Sequence, residues 1–512
     1  MLFDQALSQH THALALTDLE RQRSWQQLQD QAVRFARYLR EEQGLQPDDH
    51  LALLIGNRVE FFEALLGALL AGLWVTPINT HLVAEEVQYI AVDSTAKLIL
   101  HDMAHAHLLA SSLTSRCVNV EALSQAFLES VTPVIPISHD APAGGTMLYT
   151  SGTTGRPKGV KRSKPATLGE ALQRMASGGL AFGLDGQGAH LVTGPLYHAA
   201  PMLFALYDML NGASMVIMPR WDIDVFLRCV ETYRITHTHL VPTMCVRLLH
   251  AREREAARVD QHDLSSLTLV LHGAAPMDVA TKHAMINWWG PILVEYWGGS
   301  EAGTTTLVTS AEWLLHPGTV GRPLAHFEVY VGDDAGVPVP RPLTDDSAEF
   351  PGITGKLFAR HHYLSQVFEY HNDPAKTRKA HPQPHVFCIG DIGRVDADGF
   401  VYLTDRESNL IISGGVNIYP AEVEQVWMSH PAVEDVAVFG VPNAEWGEVV
   451  HAAVQVKPHI AANEELKEEM LAFLRERVAR FKIPRAITFV DLLPRTPTGK
   501  LLVRQLRAGL LS

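Results

Sequence analysis

The chain has 512 residues, of which 47% are hydrophobic and 19% charged, and its net charge is −14. That length exceeds what one hydrophobic core supports and predicts two or three domains. The acidic balance argues against nucleic acid as the main partner, because phosphate backbones are bound by basic faces.

Cys117, Cys229, Cys245 and Cys388 are scattered without a C-x-x-C pair, which reads as buried thiols in a reducing compartment. The first residues lack a basic stretch before an apolar one, so no signal peptide is expected. The most apolar run, Phe61 to Ile78, contains Glu63 and Gly67 and ends at Thr76-Pro77. It reads as a buried helix feeding a strand and not as a membrane span. Thr236-His-Thr-His-Leu240 alternates like a strand, and His361-His362 is isolated. Neither has acidic or cysteine partners at metal spacing, so both are expected to be structural.

In chain order, Trp25 to Glu42 reads as an amphipathic helix and Leu51 to Ile55 as a strand. Val59 to Ala71 is helical, Trp74 to Ile78 a strand, Ala84 to Ser94 a helix and Leu98 to Leu100 a strand. The rhythm resumes with helix Leu168 to Ala176 and strands Ala189 to Val192 and Ser214 to Met218. Helix Val225 to Tyr233, strand His237 to Val241 and a helix near Met244 to Glu255 follow. Strand Leu267 to Leu271, helix Asp278 to Trp288 and strand Ile292 to Glu295 complete the run. Such βαβ alternation predicts parallel sheets with helices on both faces. Residues 317 to 405 turn richer in Gly, Pro and short strands, which predicts a β-rich subdomain. From about 406, strands near 435–439, 450–456 and 487–490 mix with a charged helix from Glu464 to Ala479. This predicts a separate small α+β domain.

Chemistry concentrates in Tyr149-Thr-Ser-Gly-Thr-Thr-Gly-Arg-Pro-Lys-Gly-Val160. Gly152, Gly155 and Gly159 permit tight turns, and Thr150, Ser151, Thr153 and Thr154 supply hydroxyls. With Lys158, such a loop forms an anion-binding nest suited to a polyphosphate. It is not the common NTPase phosphate loop, because Gly159 and no Ser or Thr follows the lysine.

These twelve residues closely resemble the signature of the adenylate-forming superfamily of acyl-CoA synthetases, luciferases and peptide-synthetase adenylation domains. Further stretches match it in order. Thr193-Gly-Pro-Leu-Tyr-His-Ala-Ala-Pro201 resembles the gate and wall of an acyl pocket, with Tyr197 and His198. It holds no aspartate for a substrate ammonium, which disfavours an amino acid. His272-Gly-Ala-Ala-Pro276 follows a strand at its carboxyl end, where parallel sheets bind ligands. Gly273, Ala274 and Ala275 are expected to border adenine and the acyl pocket. In Glu295-Tyr-Trp-Gly-Gly-Ser-Glu-Ala-Gly303, Tyr296 or Trp297 would stack on adenine, with Glu295, Gly298 and Ser300 beside it. Glu301 supplies the carboxylate that Mg²⁺ between phosphates requires, with Thr150 as a second ligand. A nucleophile elbow is excluded, because Ala302 stands where that motif needs glycine.

Phe387-Cys-Ile-Gly-Asp-Ile-Gly393 resembles the family's Thr-Gly-Asp stretch, with Ile389 in place of threonine. Asp391 suits acceptance from two ribose hydroxyls. Thr319-Val-Gly-Arg-Pro323 lies in the usual place upstream. In the stretch from Leu403 to Glu424, Arg406 would contact ribose or phosphate. Ser413, Gly414, Gly415 and Tyr419 would form the coenzyme A side. The family's hinge position falls on Ser408, where relatives carry an acidic residue or lysine. Pro494-Arg-Thr-Pro-Thr-Gly-Lys500 places the catalytic lysine at Lys500.

The resemblance implies an α/β fold: a large N-terminal domain, 1–405, of βαβ layers with a β-rich subdomain, and a small mobile α+β domain, 406–512. It implies a two-step acid–CoA ligase using ATP, Mg²⁺ and coenzyme A through an acyl adenylate, with Lys500, Glu301 and His198 as catalytic residues. Leu203, Phe204 and Met209 suggest an apolar pocket for a medium- or long-chain aliphatic or alicyclic acid. An aryl acid is the alternative, and a non-catalytic homologue that binds acyl adenylate or coenzyme A is the alternative class. The expected partner is a small carboxylic acid, with a homodimer allowed and a cytoplasmic location.

Overall fold

The structure is a computed structural model describing residues 3, 7, 11–109, 117–150, 157–275, 277–339, 353–413, 416–443, 446–496, 501–503 and 505–507. It divides into two compact units. The first comprises residues 1–274, 285–304 and 366–379; the second comprises 275–284, 305–365 and 380–512.

The first unit is built from βαβ repeats, as the alternation predicts. One sheet sets seven strands in the order Phe368–Tyr370, Lys158–Arg162, Gly145–Thr150, Trp74–Pro77, His50–Leu54, Ala96–His101 and Cys117–Asn119. Its pairs from Gly145–Thr150 onward are parallel. The pairs on either side of Lys158–Arg162 are antiparallel. In a second sheet Leu293–Gly299, Leu269–His272, His237–Leu240, Ala189–Val192, Ser214–Ile217, Leu14–Thr17 and Gln22–Ser24 lie side by side in that order. Strands buried on both faces read as continuous apolar runs, which is why His50–Leu54 is buried throughout.

The helix Trp25–Arg37 starts at a capping box, in which Ser24 Oγ accepts from the Gln27 N–H and the Gln27 side chain returns to the Ser24 N–H. The expected run to Glu42 holds, but its last five residues, Tyr38–Glu42, form a π-turn before the chain reverses at Gly44, φ +67°. The helix Val59–Leu70 is buried along its whole length, as its apolar run predicts. Gly67 lets it approach the first helix, since a Cβ there would sit 2.3 Å from Phe35 Cβ. Its buried Glu63 is neutralised by Arg23 Nε at 2.6 Å and takes a hydrogen bond from Ser124 Oγ at 2.6 Å. No helix among the described residues is long and apolar enough to cross a membrane. The four cysteines are free thiols; Cys229 and Cys245 are buried, and Cys117 and Cys388 are half-buried.

The second unit contains the expected β-rich part. Phe327–Gly332, Gly355–His361, Asp391–Val395 and Val401–Arg406 form an antiparallel sheet, with Val386–Phe387 added on Gly355–His361. Residues 366–379, expected within this region, belong to the first unit instead. Their strand pairs with Lys158–Arg162, a partner some 200 residues earlier that no local pattern announces. Residues 411–489 hold a sheet ordered Val416–Ile418, Ile411–Ser413, Gly447–Val456 and Val433–Asn443, with Ala486–Phe489 on Gly447–Val456. Helices Pro420–Met428 and Glu464–Arg475 cover its own core of Trp427, Val438, Val454, Met470 and Leu474.

Candidate active site

The hydroxyl- and glycine-rich stretch connects two antiparallel strands. Thr150 lies opposite Lys158 and Tyr149 opposite Gly159. Ser151, Gly152, Thr153, Thr154 and Gly155 lie outside the described residues. Lys158, expected inside the loop, is instead the first residue of the return strand. Its ammonium is therefore carried by a sheet and starts from a fixed base. Gly159 is needed by close approach: a Cβ would stand 3.1 Å from Met147 Sδ and 3.2 Å from both His371 Cβ and Tyr149 Cε2. Tyr149 Oη donates to Asp93 Oδ2 at 2.6 Å, and burial together with that carboxylate pushes its phenol well up. Tyr89 Oη donates to Pro157 O at 3.1 Å, pinning the end of the loop.

Glu301 sits in the turn after the strand Leu293–Gly299, before the chain returns at Gly303. Both flanking glycines are required there. A Cβ on Gly298 would lie 2.0 Å from Gly303 O, and Gly303 has φ +75° with Arg162 Nη1 2.5 Å from its Cβ position. The strand Phe368–Tyr370 brings a third segment alongside, with Tyr370 opposite Val160. Tyr370 Oη donates to Glu301 Oε1 at 3.1 Å. Asp373 Oδ2 lies 3.5 Å from Lys158 Nζ. Lys376 Nζ lies 3.9 Å from the centre of the Tyr370 ring, and burial lowers its pKa. Thus Lys158, Glu301, Tyr370, Asp373 and Lys376 form one charged group inside the first unit. Sequence reasoning named the first two. Tyr370-His-Asn-Asp-Pro-Ala-Lys376 is a polar turn after a short strand, and only its pairing to the hairpin marks it as functional.

Glu301 and Thr150 are oxygen donors of the kind Mg²⁺ prefers. Among the described residues no group of three His, Cys, Asp or Glu side chains is placed to hold a metal. A cation here would complete its shell with phosphate oxygens and water, as Mg²⁺ at nucleotide sites does. The donor set fits that ion.

A second cluster lies between strand ends and the helix Ala199–Asn211, which begins directly after His198. The Tyr197 and His198 rings are 4.5 Å apart. Tyr197 is buried, and burial raises its phenol. Tyr296 faces the interior: its hydroxyl is 3.0 Å from His239 Nε2 and its ring meets Phe204 edge-on at 5.1 Å. Its ring also presses on Gly273, where a Cβ would come within 2.8 Å. One side of Tyr296 is thereby committed to packing. Trp297 is also buried. Burial keeps His239 neutral, with a pKa lowered to about 3. Glu295 and His272 are buried with a 3.9 Å separation between Glu295 Oε2 and His272 Nε2. Ala274 adopts φ +67°, a left-handed conformation costly for a residue with Cβ. Strain of this kind concentrates at binding sites, and here it falls in the stretch expected to border adenine.

Below this cluster, Asp208 accepts from His190 Nδ1 at 3.0 Å, His237 Nδ1 at 2.8 Å and the Gly186 N–H at 3.1 Å. Burial pushes its carboxyl up, but the two imidazole donors outweigh that and hold it at about 2. His237 therefore does have an acidic partner, contrary to the expectation from spacing, because the fold brings Asp208 from another element. His361 is held in the same way by its surroundings, its Nδ1 accepting from the Tyr363 and Leu364 N–H groups at 3.1 and 3.0 Å.

In the second unit, Asp391 and Arg406 face each other across antiparallel strands, with Arg406 Nε 3.0 Å from Asp391 Oδ1. Asp405 is held by the Asn409 side chain at 3.1 Å and the Ala421 N–H at 3.1 Å; burial raises its carboxyl. Ser408 lies in the short turn Glu407–Asn409. Ser413 ends a strand opposite Val416, and Tyr419 precedes the helix Pro420–Met428. Glu424 Oε1 accepts from the Val438 N–H at 2.7 Å, and burial pushes its carboxyl to about 8. Gly414, Gly415 and Lys500 lie outside the described residues, as does Pro276. Ala275 opens the second unit.

Residues 3–368 match the AMP-binding enzyme family, and residues 422–500 match the AMP-binding enzyme C-terminal domain. The chain is 32% identical over 501 residues to a feruloyl-CoA synthase of an Amycolatopsis species, covering 97% of this chain and 96% of the relative. It is 28% identical over 476 residues to the long-chain-fatty-acid–CoA ligase FadD13 of Mycobacterium tuberculosis, covering 91% and 88%. Its fold is similar to that of o-succinylbenzoate CoA synthetase (MenE) from Bacillus subtilis in complex with the acyl-adenylate intermediate OSB-AMP. That likeness has a TM-score of 0.80 and 27% identity, covering 99% of this chain and 97% of the other. The expected α/β architecture and the expected enzyme class, an AMP-forming acid–thiol ligase, are both borne out. The chain belongs to the AMP-binding enzyme family, and with it to the adenylate-forming superfamily.

Proposed function

We propose that the chain joins a medium- or long-chain aliphatic or alicyclic carboxylic acid to coenzyme A at the expense of ATP. The apolar wall formed by Phe204, buried on the helix Ala199–Asn211, and the Tyr296 ring that meets it edge-on carries this reading. Such a wall rewards a hydrocarbon tail and offers nothing to a charged one. An aryl acid is the second reading, favoured by the 32% identity to a feruloyl-CoA synthase.

In the first step the substrate carboxylate attacks the α-phosphorus of ATP; an acyl–phosphate bond forms and pyrophosphate leaves. Catalysis is mainly positioning and neutralisation of developing charge. Lys158 and the loop before it hold the phosphates, Asp391 accepts from the ribose hydroxyls, and Arg406 contacts ribose or phosphate. Lys500 holds the substrate carboxylate and an α-phosphate oxygen. Mg²⁺ held by Glu301 and Thr150 would supply positive charge to the pyrophosphate. In the second step residues 406–512 act as a mobile domain hinged at Ser408. Lys500 withdraws, and Ser413 to Tyr419 guide the thiol to the acyl carbon, releasing AMP. His198 gates the acyl pocket. In this proposal the location is cytoplasmic, with a homodimer allowed.

The test is mass spectrometry of coenzyme A thioesters from octanoate, a steroid acid, ferulate, benzoate and phenylalanine, with pyrophosphate release measured alongside. Thioesters of the first two are expected. Ferulate alone would establish the second reading, and phenylalanine-dependent exchange would overturn both. Lys500→Ala should lose about 10²-fold in adenylation yet still convert supplied acyl adenylate. Equal loss in both half-reactions would refute the role given to Lys500.

A further inference from the structure

Two lysines approach the Glu301 turn from different segments, and the structure treats them differently. Lys158 Nζ has a carboxylate, Asp373 Oδ2, at 3.5 Å. Lys376 makes no ion pair among the described residues. Its ammonium rests instead on the face of Tyr370, 3.9 Å from the ring centre. That ring is fixed at both ends: its strand pairs with Lys158–Arg162, and its hydroxyl donates to Glu301 Oε1 at 3.1 Å. The charges acting on Lys376 are Glu301 and Asp373 in its favour and Lys158 against it.

Gathering two ammonium groups around carboxylates already shared with a tyrosine and a lysine gains little for the fold alone. Partial burial makes the second cation costly, and the first repels it. The arrangement becomes favourable when an anion of several charges enters. An aromatic face holds a cation in place while leaving its N–H donors available to oxygen acceptors. The anion that fits is a linear polyphosphate, held by Lys158 on one side and Lys376 on the other.

We propose that Lys376 is a second polyphosphate-binding residue that, with Tyr370 as its support, grips the pyrophosphate portion of ATP and the pyrophosphate product. The inference rests on the adenylate-forming reading of this site and adds a residue to it. Lys376 acts with Glu301 through Tyr370: the phenol that carries the ammonium also orients the carboxylate, so the two charges keep a fixed separation.

The experiment uses the full chain as wild type, Lys376→Met and Lys376→Arg. Pyrophosphate binding is measured by calorimetry, and acid-dependent ATP–pyrophosphate exchange is measured as a function of pyrophosphate concentration. Lys376→Met should weaken pyrophosphate binding about tenfold or more and raise half-saturating pyrophosphate in exchange by a similar factor. Lys376→Arg should restore most of both, since the charge remains over the ring. Thermal melting of the two variants should agree closely, which separates a binding role from a packing one. Equal pyrophosphate binding by wild type and Lys376→Met, or none by the wild type, overturns the proposal. If the wild type binds pyrophosphate more tightly than Lys376→Met yet exchanges with no acid, the functional reading fails and the assignment of Lys376 stands.

Discussion

Replacing Asp208 with alanine tests whether the acyl-side helix is positioned by a buried charge. Asp208 has no exposed surface, and its carboxylate receives three donors: His190 Nδ1, His237 Nδ1 and the Gly186 N–H. Alanine would strand all three and leave a small void. Each buried donor without an acceptor costs about 1–3 kcal/mol, and breaking a buried charged network costs about 3–5 kcal/mol. Because the surrounding side chains can relax, these losses do not add in full, and about 3–5 kcal/mol is the expected total. The helix Ala199–Asn211 should register it most, since Asp208 is its only residue joined to both His190 and His237 among the described residues. Hydrogen exchange of amides in this helix and in His237–Leu240 gives the local opening free energy directly. Acid pH supplies a check of sign. The folded carboxyl lies at about 2, below its ordinary 3.8, so its contribution is present above 3.8 and is lost as pH falls through 2. It amounts to about 2–3 kcal/mol. The protection gap between wild type and Asp208→Ala, corrected for intrinsic exchange, should therefore narrow across that interval. A gap below about 1 kcal/mol at neutral pH, or one that widens on acidification, would refute the reasoning.

Three further outcomes are expected. Tyr370→Phe removes the 3.1 Å hydrogen bond to Glu301 and should raise the Mg²⁺ concentration for half-maximal adenylation about 3- to 10-fold, with little thermal shift; an unchanged Mg²⁺ titration would count against it. Glu424 keeps its proton in the folded state from its ordinary 4.5 up to about 8, so the folded chain binds more protons than the unfolded one and stability falls as pH rises through that window. Glu424→Gln retains the acceptor for the Val438 N–H and should flatten this dependence by several kcal/mol, at most about 5 kcal/mol; parallel pH profiles of thermal melting would exclude the idea. Ser408→Pro fixes φ near −65° at the proposed hinge and should preserve acyl-adenylate formation while abolishing thioester formation from supplied acyl adenylate; thioester made at the parental rate would move the hinge elsewhere between Thr404 and Leu410.

Much of the fold was legible because its elements obey local rules. The helix over 59–70 and the strands at 189–192 and 237–240 lie within a residue or so of where periodicity puts them. Sheet order was not legible, since pairing depends on distant partners. Strand Phe368–Tyr370 illustrates this: it follows a β-rich stretch in sequence, yet its hydrogen bonds go to Lys158–Arg162 and it packs with the first unit. The acidic partner of His237 was equally illegible. Its partner Asp208 is 29 residues away on a helix, so spacing within the strand carried no sign of an acid.

The candidate site divides along the same line. Lys158, Glu301, Asp391 and Arg406 were readable because each sits in a short stretch whose composition is chemically unusual. Tyr370, Asp373 and Lys376 were not, although Tyr370 contacts Glu301 and Asp373 contacts Lys158. Tyr370 meets Glu301 across 69 positions, and its own local context is unremarkable. The reason is physical. A residue that touches a phosphate needs glycines or hydroxyls beside it to admit the ligand, and those neighbours leave a motif. A residue that holds another side chain in place needs only a strand in the right register, and register is settled by the whole sheet. Here a single antiparallel pairing, Tyr370 with Val160, puts a phenol beside Glu301 and a second ammonium on that phenol's face. Any substitution that shifts this register by one residue would turn Tyr370 to the opposite face of the sheet and remove both contacts together. Inserting one residue between Arg162 and Ser163, after the strand, should leave adenylation nearly intact, whereas inserting one within Lys158–Arg162 should abolish it; equal effects from the two insertions would show that strand register is not what builds the site.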